Sequence, residues 1–173
     1  MFEERTRIYQ READDLRSLG FEPEELDLRL YFDRPDALRT KLEAYRLVWV
    51  TGGNAFVLAR AMSASGFRDA ARVHVDLGSL TYAGYSAGAC VTARDLDGIQ
   101  FMDDPAIIPP GYSAAMPPAT LGWVPWRIVP HWRSDHPEAG AAERAARHLE
   151  DAGLEYRTLS DGDAIVIDHQ PPH

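Results

Sequence analysis

Ser86 stands in the pentad Gly84-Tyr85-Ser86-Ala87-Gly88, a G-x-S-x-G spacing. A strand-like run, Leu80-Thr81-Tyr82-Ala83, precedes it, and small residues at 87–93 can open a helix after it. A strand that turns sharply into a helix leaves no room for Cβ atoms beside the turn, so glycines flank the serine and the serine sits strained at the apex. The free N–H groups and positive dipole end of that helix would then stabilise an oxyanion forming on a bound carbonyl. The pattern predicts acyl chemistry at Ser86; a tight turn that serves packing alone is the competing reading.

A serine hydroxyl is a poor nucleophile until a base takes its proton, and the chain offers six histidines. His131 directly follows the apolar run 127–130. It therefore belongs at the carboxyl end of a strand, the sheet edge where Ser86 must also lie if both strands are parallel. His136 competes from the same loop, His74 and His148 fall in helix-like stretches, and His169 and His173 lie in the tail. The imidazole needs an acceptor to fix its tautomer, and Asp161, in a turn after the strand-like run 156–159, is the preferred one. Asp97, Asp103, Asp104, Asp135 and Glu138 stay open as alternatives. For the oxyanion, the Ala87 N–H is one donor and the Gly52-Gly53-Asn54 turn can bring the other, since glycine lets backbone approach a ligand closely. That turn lacks the lysine and fuller glycine pattern of a phosphate cradle. Two imidazoles and a carboxylate at 131–136 invite a metal, but the spacing is not that of a helical metal motif and no cysteine or second acidic cluster completes it. Neither metal nor cofactor is expected. Cys90, four residues into the helix, is turned away from the elbow.

The elements that must carry these residues alternate as in an α/β domain. Helices are predicted over residues 3–19, 36–45, 55–65, 67–74, 87–93 and 137–152. Asn54 caps the third and Gly153 stops the last. The continuous apolar run 47–50 suits a buried parallel strand, with further strands at 80–83, 127–129, 156–159 and 164–167. Residues 95–126, rich in Pro and Gly, show no period, and such a segment is functional or poorly ordered. One domain over residues 1–173 is expected.

A net charge of −9 and 45% hydrophobic residues fit a globular protein and argue against sequence-independent nucleic-acid binding, which needs a basic surface. One cysteine excludes an internal disulfide, the N-terminus lacks a signal-like apolar core, and no stretch reaches membrane-spanning length. A cytoplasmic protein with no nucleic-acid or membrane partner is expected.

Four segments in order carry a resemblance: residues 50–58 around Gly52-Gly53-Asn54, residues 82–89 around Ser86, Pro130-His131-Trp132, and residues 159–165 around Asp161. Together they resemble the serial motifs of the dipeptidase E and cyanophycinase peptidase family. The resemblance implies a three-layer α/β/α sandwich with a mostly parallel central sheet, as in class I glutamine amidotransferases and flavodoxin-like folds. It implies a serine exopeptidase, releasing N-terminal aspartate from dipeptides in the best-known branch. It also implies Ser86 as nucleophile, His131 as general base and Gly53 with Ala87 as oxyanion donors. For the acid, parts of the family use the segment after the elbow, here near Asp97, whereas Asp161 is preferred on position. Compared with that family the chain looks shortened at both ends; a missing first strand would expose a sheet edge that a second copy, in a homodimer, could cover.

The expected partner is a small peptide. An acidic N-terminal residue needs a cation, for which Arg94, Arg127 and Arg133 are candidates, and residues 104–126 could form a lid. A cyanophycinase-like or other amide hydrolase would keep the triad and change the pocket; a noncatalytic module would keep only the elbow.

Overall fold

Leu47-Val48-Trp49-Val50 forms β1 (Leu47–Val50) because β-branched and aromatic side chains suit a pleated surface. The computed structural model describes residues 2–115 and 118–168. The order is α1 (Phe2–Ser18), α2 (Pro35–Leu42), β1, α3 (Ala55–Ser65), α4 (Phe67–Asp76), β2 (Thr81–Gly84), α5 (Ala87–Cys90), β3 (Arg127–Val129), α6 (Ala139–Asp151) and β4 (Tyr156–Thr158). Short 3-10 turns occur at Leu28–Tyr31 and Ile99–Phe101.

The described strands pair in two parallel ladders, β1 with β2 and β3 with β4. Val50 lies opposite Gly84 in the first, and Val129 opposite Thr158 in the second. Parallel pairing puts the carboxyl ends of each ladder on one edge. The first edge delivers Gly52 and Ser86; the second delivers His131 and Asp161.

Helix ends follow their local chemistry. Pro35 opens α2 at a position where its missing N–H costs nothing. The Asn54 side chain accepts the Val57 N–H at the start of α3, and Gly66, at φ 68°, ends that helix in the left-handed region. Buried residues recur at helical spacing: Phe67, Ala70, Ala71 and His74 on α4, and Ala142, Ala145, Ala146 and Leu149 on α6. The main core joins Leu38 and Leu42 to Val48, Val50, Phe56, Met62 and Phe67, and extends to Leu121. A separate cluster packs Val129 against Ala142, Ala145 and Leu149.

Several expectations change. The helix predicted at 87–93 is the single turn α5, because the chain must leave it to meet residues 121–124. There Leu121 N–H donates to the Val91 carbonyl and Trp123 N–H to the Thr92 carbonyl, both at 2.8 Å. Leu121 is fully buried, so the far part of the segment expected as a lid is packed into the core. Residues 164–167 form no strand among the described residues, and Val166 is exposed. β1 is buried on one face only: Val48 and Val50 point into the core, while Trp49 is 39% exposed. The Trp49 indole N–H instead donates to Glu12 of α1 at 3.0 Å.

The elbow is pressed against β1. A Cβ on Gly88 would lie 2.2 Å from the Val50 carbonyl oxygen, and one on Gly84 would lie 2.8 Å from the Gly88 carbonyl carbon and oxygen. Both neighbours are backbone and cannot turn aside. Gly88→Ala is therefore expected to lower unfolding stability by about 3 kcal/mol. Urea unfolding of the variant beside Gly140→Ala, a helical glycine of α6 whose added Cβ meets only the tip of Arg144 at 3.9 Å, separates this crowding from loss of glycine itself.

Candidate active site

Ser86 connects β2 to α5 at φ 50° and ψ −118°, a conformation that costs a non-glycine residue about 1–3 kcal/mol. The turn holds because backbone closes it on both sides. Tyr85 N–H donates to the Val50 carbonyl at 3.2 Å, Gly88 N–H to the Tyr85 carbonyl at 2.9 Å, and Cys90 N–H to the Ser86 carbonyl at 3.0 Å. Strain at this one residue turns Oγ away from the helix it begins and toward the second ladder.

His131 comes from that ladder, two residues beyond β3, and is itself left-handed at φ 58°. Its Nε2 lies 3.1 Å from Ser86 Oγ and its Nδ1 lies 2.7 Å from Asp161 Oδ1. The two carrier loops are stitched together. Trp132 N–H donates to the Leu159 carbonyl at 3.0 Å, and Asp161 N–H to Ser134 Oγ at 2.7 Å. Asp161 thus accepts from the imidazole, which fixes the Nδ1–H tautomer and leaves Nε2 free to take the serine proton. Hydroxyl, imidazole and carboxylate form one continuous chain, the arrangement that activates a serine.

Gly52 and Gly53 follow β1 and face the elbow. A Cβ on Gly52 would lie 3.2 Å from Ser86 Cβ, and Gly53 adopts φ 130°. Among the described residues no backbone carbonyl accepts from the N–H of Gly53 or of Ala87. Asn54 does a different job. Its side chain accepts from Val57 N–H at 3.0 Å and donates to the Asp104 carbonyl at 3.1 Å, so both ends of its amide are committed to structure.

A cavity of about 280 Å³ opens beside the serine, lined by Gly52, Gly53, Tyr85, Ser86 and His131 together with Ile8, Arg11, Asp103, His136 and Glu138. Arg11 was not singled out in the sequence because α1 reads as a charged, solvent-facing helix. Its neighbour Glu12 explains its placement: Glu12 accepts from Trp49 of β1 and, at 3.1 Å, from the Tyr85 hydroxyl next to the nucleophile. Burial alone would raise the Glu12 carboxyl, but hydrogen bonds from Arg11, Trp49 and Tyr85 hold it below its ordinary value. The cations expected from sequence lie elsewhere. Arg127 is buried in a two-pronged pair with Asp95, at 2.7 and 2.6 Å. Arg94 is exposed beside Asp95, and Arg133 stacks over Trp132 and lines a separate cavity of about 180 Å³.

The remaining candidates separate cleanly. Asp103 accepts the Ala55 N–H at 2.8 Å, and burial raises its carboxyl above the ordinary value against that bond, with the nearby Glu138 adding to the rise. Burial pushes the Cys90 thiol well above its ordinary value, which leaves it unreactive. His74 is buried on α4. His169 and His173 lie outside the described residues. His131, His136 and Glu138 bring ligand atoms within 4.8 Å of one another. However, the two rings stack at 3.7 Å with their planes 7° apart. Lone pairs lying in parallel, separated planes cannot converge on one ion.

Residues 1–171 match the family description Peptidase family S51. The chain belongs to that family. A Drosophila melanogaster protein named Probable alpha-aspartyl dipeptidase is 36% identical over 161 residues, covering 89% of this chain and 60% of its own length. A Streptomyces coelicolor protein named Peptidase E is 31% identical, with 83% and 57% covered. This S51 chain thus spans a little under two thirds of the length of these relatives. A solved Listeria monocytogenes structure carrying a provisional peptidase E name superposes with a TM-score of 0.70 at 26% identity, over 86% of this chain and 67% of the other. The fold is the α/β class expected from the serial motifs.

Asp97, the alternative acid, is occupied elsewhere: it binds His148 Nε2 of α6 at 2.9 Å and joins α6 to the Ile99–Phe101 turn. Burial would raise its carboxyl, but the hydrogen bonds from His148 and Gln100 outweigh that and hold it below the ordinary value. A carboxyl lowered by folding stabilises the native state above its unfolded pKa, and the contribution is lost as pH falls through the native one. With the pair partly exposed, Asp97→Asn is expected to cost no more than about 1 kcal/mol in neutral solution. Urea unfolding should show the gap from wild type closing as pH drops below the ordinary carboxylate value of about 4.

Proposed function

We propose that this chain is a serine exopeptidase of the dipeptidase E type, a single peptidase domain that hydrolyses small peptides through an acyl-enzyme on Ser86. The observation that carries the reading is the unbroken chain from Ser86 Oγ through the His131 ring to Asp161, at 3.1 and 2.7 Å. In the forward step His131 Nε2 takes the serine proton while Oγ bonds to the substrate carbonyl carbon. The oxyanion that forms is met by the N–H groups of Ala87 and Gly53, and Asp161 stabilises the imidazolium. The proton passes to the leaving amine as the C–N bond breaks. Water, deprotonated by the same imidazole, then cleaves the ester and frees the serine.

Substrate class follows from charge around the cavity. Arg11 supplies a cation beside the nucleophile, suited to an acidic N-terminal side chain. Asp103 and Glu138 supply anions on the same cavity, suited to the free α-ammonium group that distinguishes a peptide's first residue. A volume of about 280 Å³ favours short peptides. The name of the Drosophila relative, an alpha-aspartyl dipeptidase, points the same way. Among the described residues no helix is long and apolar enough to cross a membrane, and a cytoplasmic location belongs to this proposal.

Intact-mass measurement after exposure to a fluorophosphonate is expected to give one adduct on the wild-type chain and none on Ser86→Ala. Asp161→Asn should slow turnover by about 10²-fold or more, since the imidazole loses the partner that fixes its tautomer. In a dipeptide panel, Asp-X should exceed Asn-X, N-acetyl-Asp-X should be refused, and Arg11→Met should narrow the first difference by raising KM. A folded wild-type chain that takes no adduct overturns the catalytic reading. Equal rates on Asp-X and N-acetyl-Asp-X overturn the exopeptidase part alone.

A further inference from the structure

Two hydrogen bonds hold the edge of the His131 ring, one to Asp161 and one to Ser86. With the covalent bond at Cγ they place the ring, and its two faces are left for neighbouring side chains to cover. A second imidazole covers one face: the His136 ring lies 3.7 Å from the His131 ring, centroid to centroid, with the planes 7° apart. The turn that returns His136 over His131 is closed by its own backbone, with Ala139 N–H donating to the His136 carbonyl at 3.0 Å. His136 is also held in one form. Its Nδ1 accepts the Glu138 backbone N–H at 3.2 Å, which requires a bare Nδ1 and leaves the ring proton on Nε2. A doubly protonated ring could not accept that bond, and it would set two positive faces against each other whenever His131 carries the serine proton.

We propose that His136 is a positioning residue: its neutral ring clamps the face of the His131 imidazole and stabilises the imidazolium formed when Ser86 gives up its proton. The inference rests on the reading of Ser86 as a nucleophile activated by His131. Its chemistry is that of a cation lying on an aromatic face, assisted by exclusion of water. The His131 side chain is only 12% exposed. The Glu138 carboxylate, 4.0 Å from His131 Nε2, adds a second anion on the side away from Asp161.

Three substitutions separate this role from its rivals. His136→Ala removes the ring, His136→Phe keeps a flat face without hydrogen-bonding atoms, and His136→Asn keeps an acceptor for the Glu138 N–H without a ring. The readout is the rate at which a small dialkyl fluorophosphonate labels Ser86, followed by intact mass over a range of reagent concentrations. It needs no knowledge of the peptide substrate. His136→Ala should lower the maximal labelling rate by about tenfold while the half-saturating concentration stays within about twofold, because orientation is lost and binding is not. His136→Phe should recover to within about threefold of wild type, and His136→Asn should remain as slow as alanine.

Labelling of His136→Ala at the wild-type rate overturns the proposal. So does recovery by asparagine without recovery by phenylalanine, which would assign the effect to the turn. A shift confined to the half-saturating concentration overturns it as well and makes His136 a ligand contact. If the alanine variant does not fold, the phenylalanine and asparagine variants decide between the same outcomes. A wild-type chain that takes no label removes the catalytic reading and this inference together, whereas a labelled wild type with an equally labelled alanine variant removes only the clamp.

Discussion

The contact on which the site depends is the one between Gly88 and the Val50 carbonyl, where not even a methyl group fits. The same carbonyl accepts the Tyr85 N–H, so one oxygen of β1 holds both limbs of the elbow. With the limbs fixed, Ser86 has no relaxed conformation open to it and takes the strained one. The strain of about 1–3 kcal/mol is small beside the burial of the surrounding core and is borne because backbone over-determines the turn. Gly52 is drawn in by the same closeness: the end of β1 runs under the serine, and a side chain there would press on Ser86 Cβ and the Tyr85 ring. The two glycines of the pentad and the first glycine of the turn thus answer one steric demand.

His131 joins halves of the fold that share no strand pairing among the described residues. Ser86 belongs to the β1 and β2 ladder, and Asp161 to the β3 and β4 ladder. The distance across the imidazole is therefore set by how the ladders pack, through α5 and the small residues Ala87, Ala89 and Ala93 that bring them close. Cys90 reinforces this from the buried side, its thiol reaching the Ile128 carbonyl of β3 at 3.5 Å. The cysteine that sequence logic set aside as a nucleophile is a filler between the ladders, small enough to let them meet and too buried to ionise.

Residues that follow an apolar run were legible because parallel strands deliver whatever comes next to a common edge. Ser86, His131, Asp161 and the Gly52-Gly53 turn all carry that signal, and the structure brings them to one place. Asn54 shows its limit: an asparagine after glycines is as good a helix cap as a ligand, and both halves of its amide are used for structure. Asp97 had the right residue type in a plausible segment, but its choice of His148 over His131 is settled by the packing of α6, which no local pattern encodes. The strand expected at 164–167 failed for a related reason. Its continuous apolar run, Ala164-Ile165-Val166-Ile167, suits a strand, yet no neighbour pairs with it among the described residues, and apolar side chains alone do not make a strand.

Arg11 and Glu12 were invisible for the deepest reason. Among the described side chains of the helix that carries them Ala13 is the buried apolar one and Ile8 is exposed, so these side chains offer little hydrophobic area to dock it. A carboxylate does the docking instead. Glu12 is separated by 73 residues from Tyr85 and by 37 from Trp49, and it binds both. Taking a carboxylate out of water is costly unless its oxygens are bonded, and here the indole, the phenol and Arg11 share them. The indole and phenol that accept this duty lie on the exposed face of β1 and on the elbow itself, so α1 is fastened to the residue that precedes the nucleophile. Ile8 and Arg11 line the cavity from the helix so attached, which ties the chemical character of the pocket to a hydrogen-bonded carboxylate.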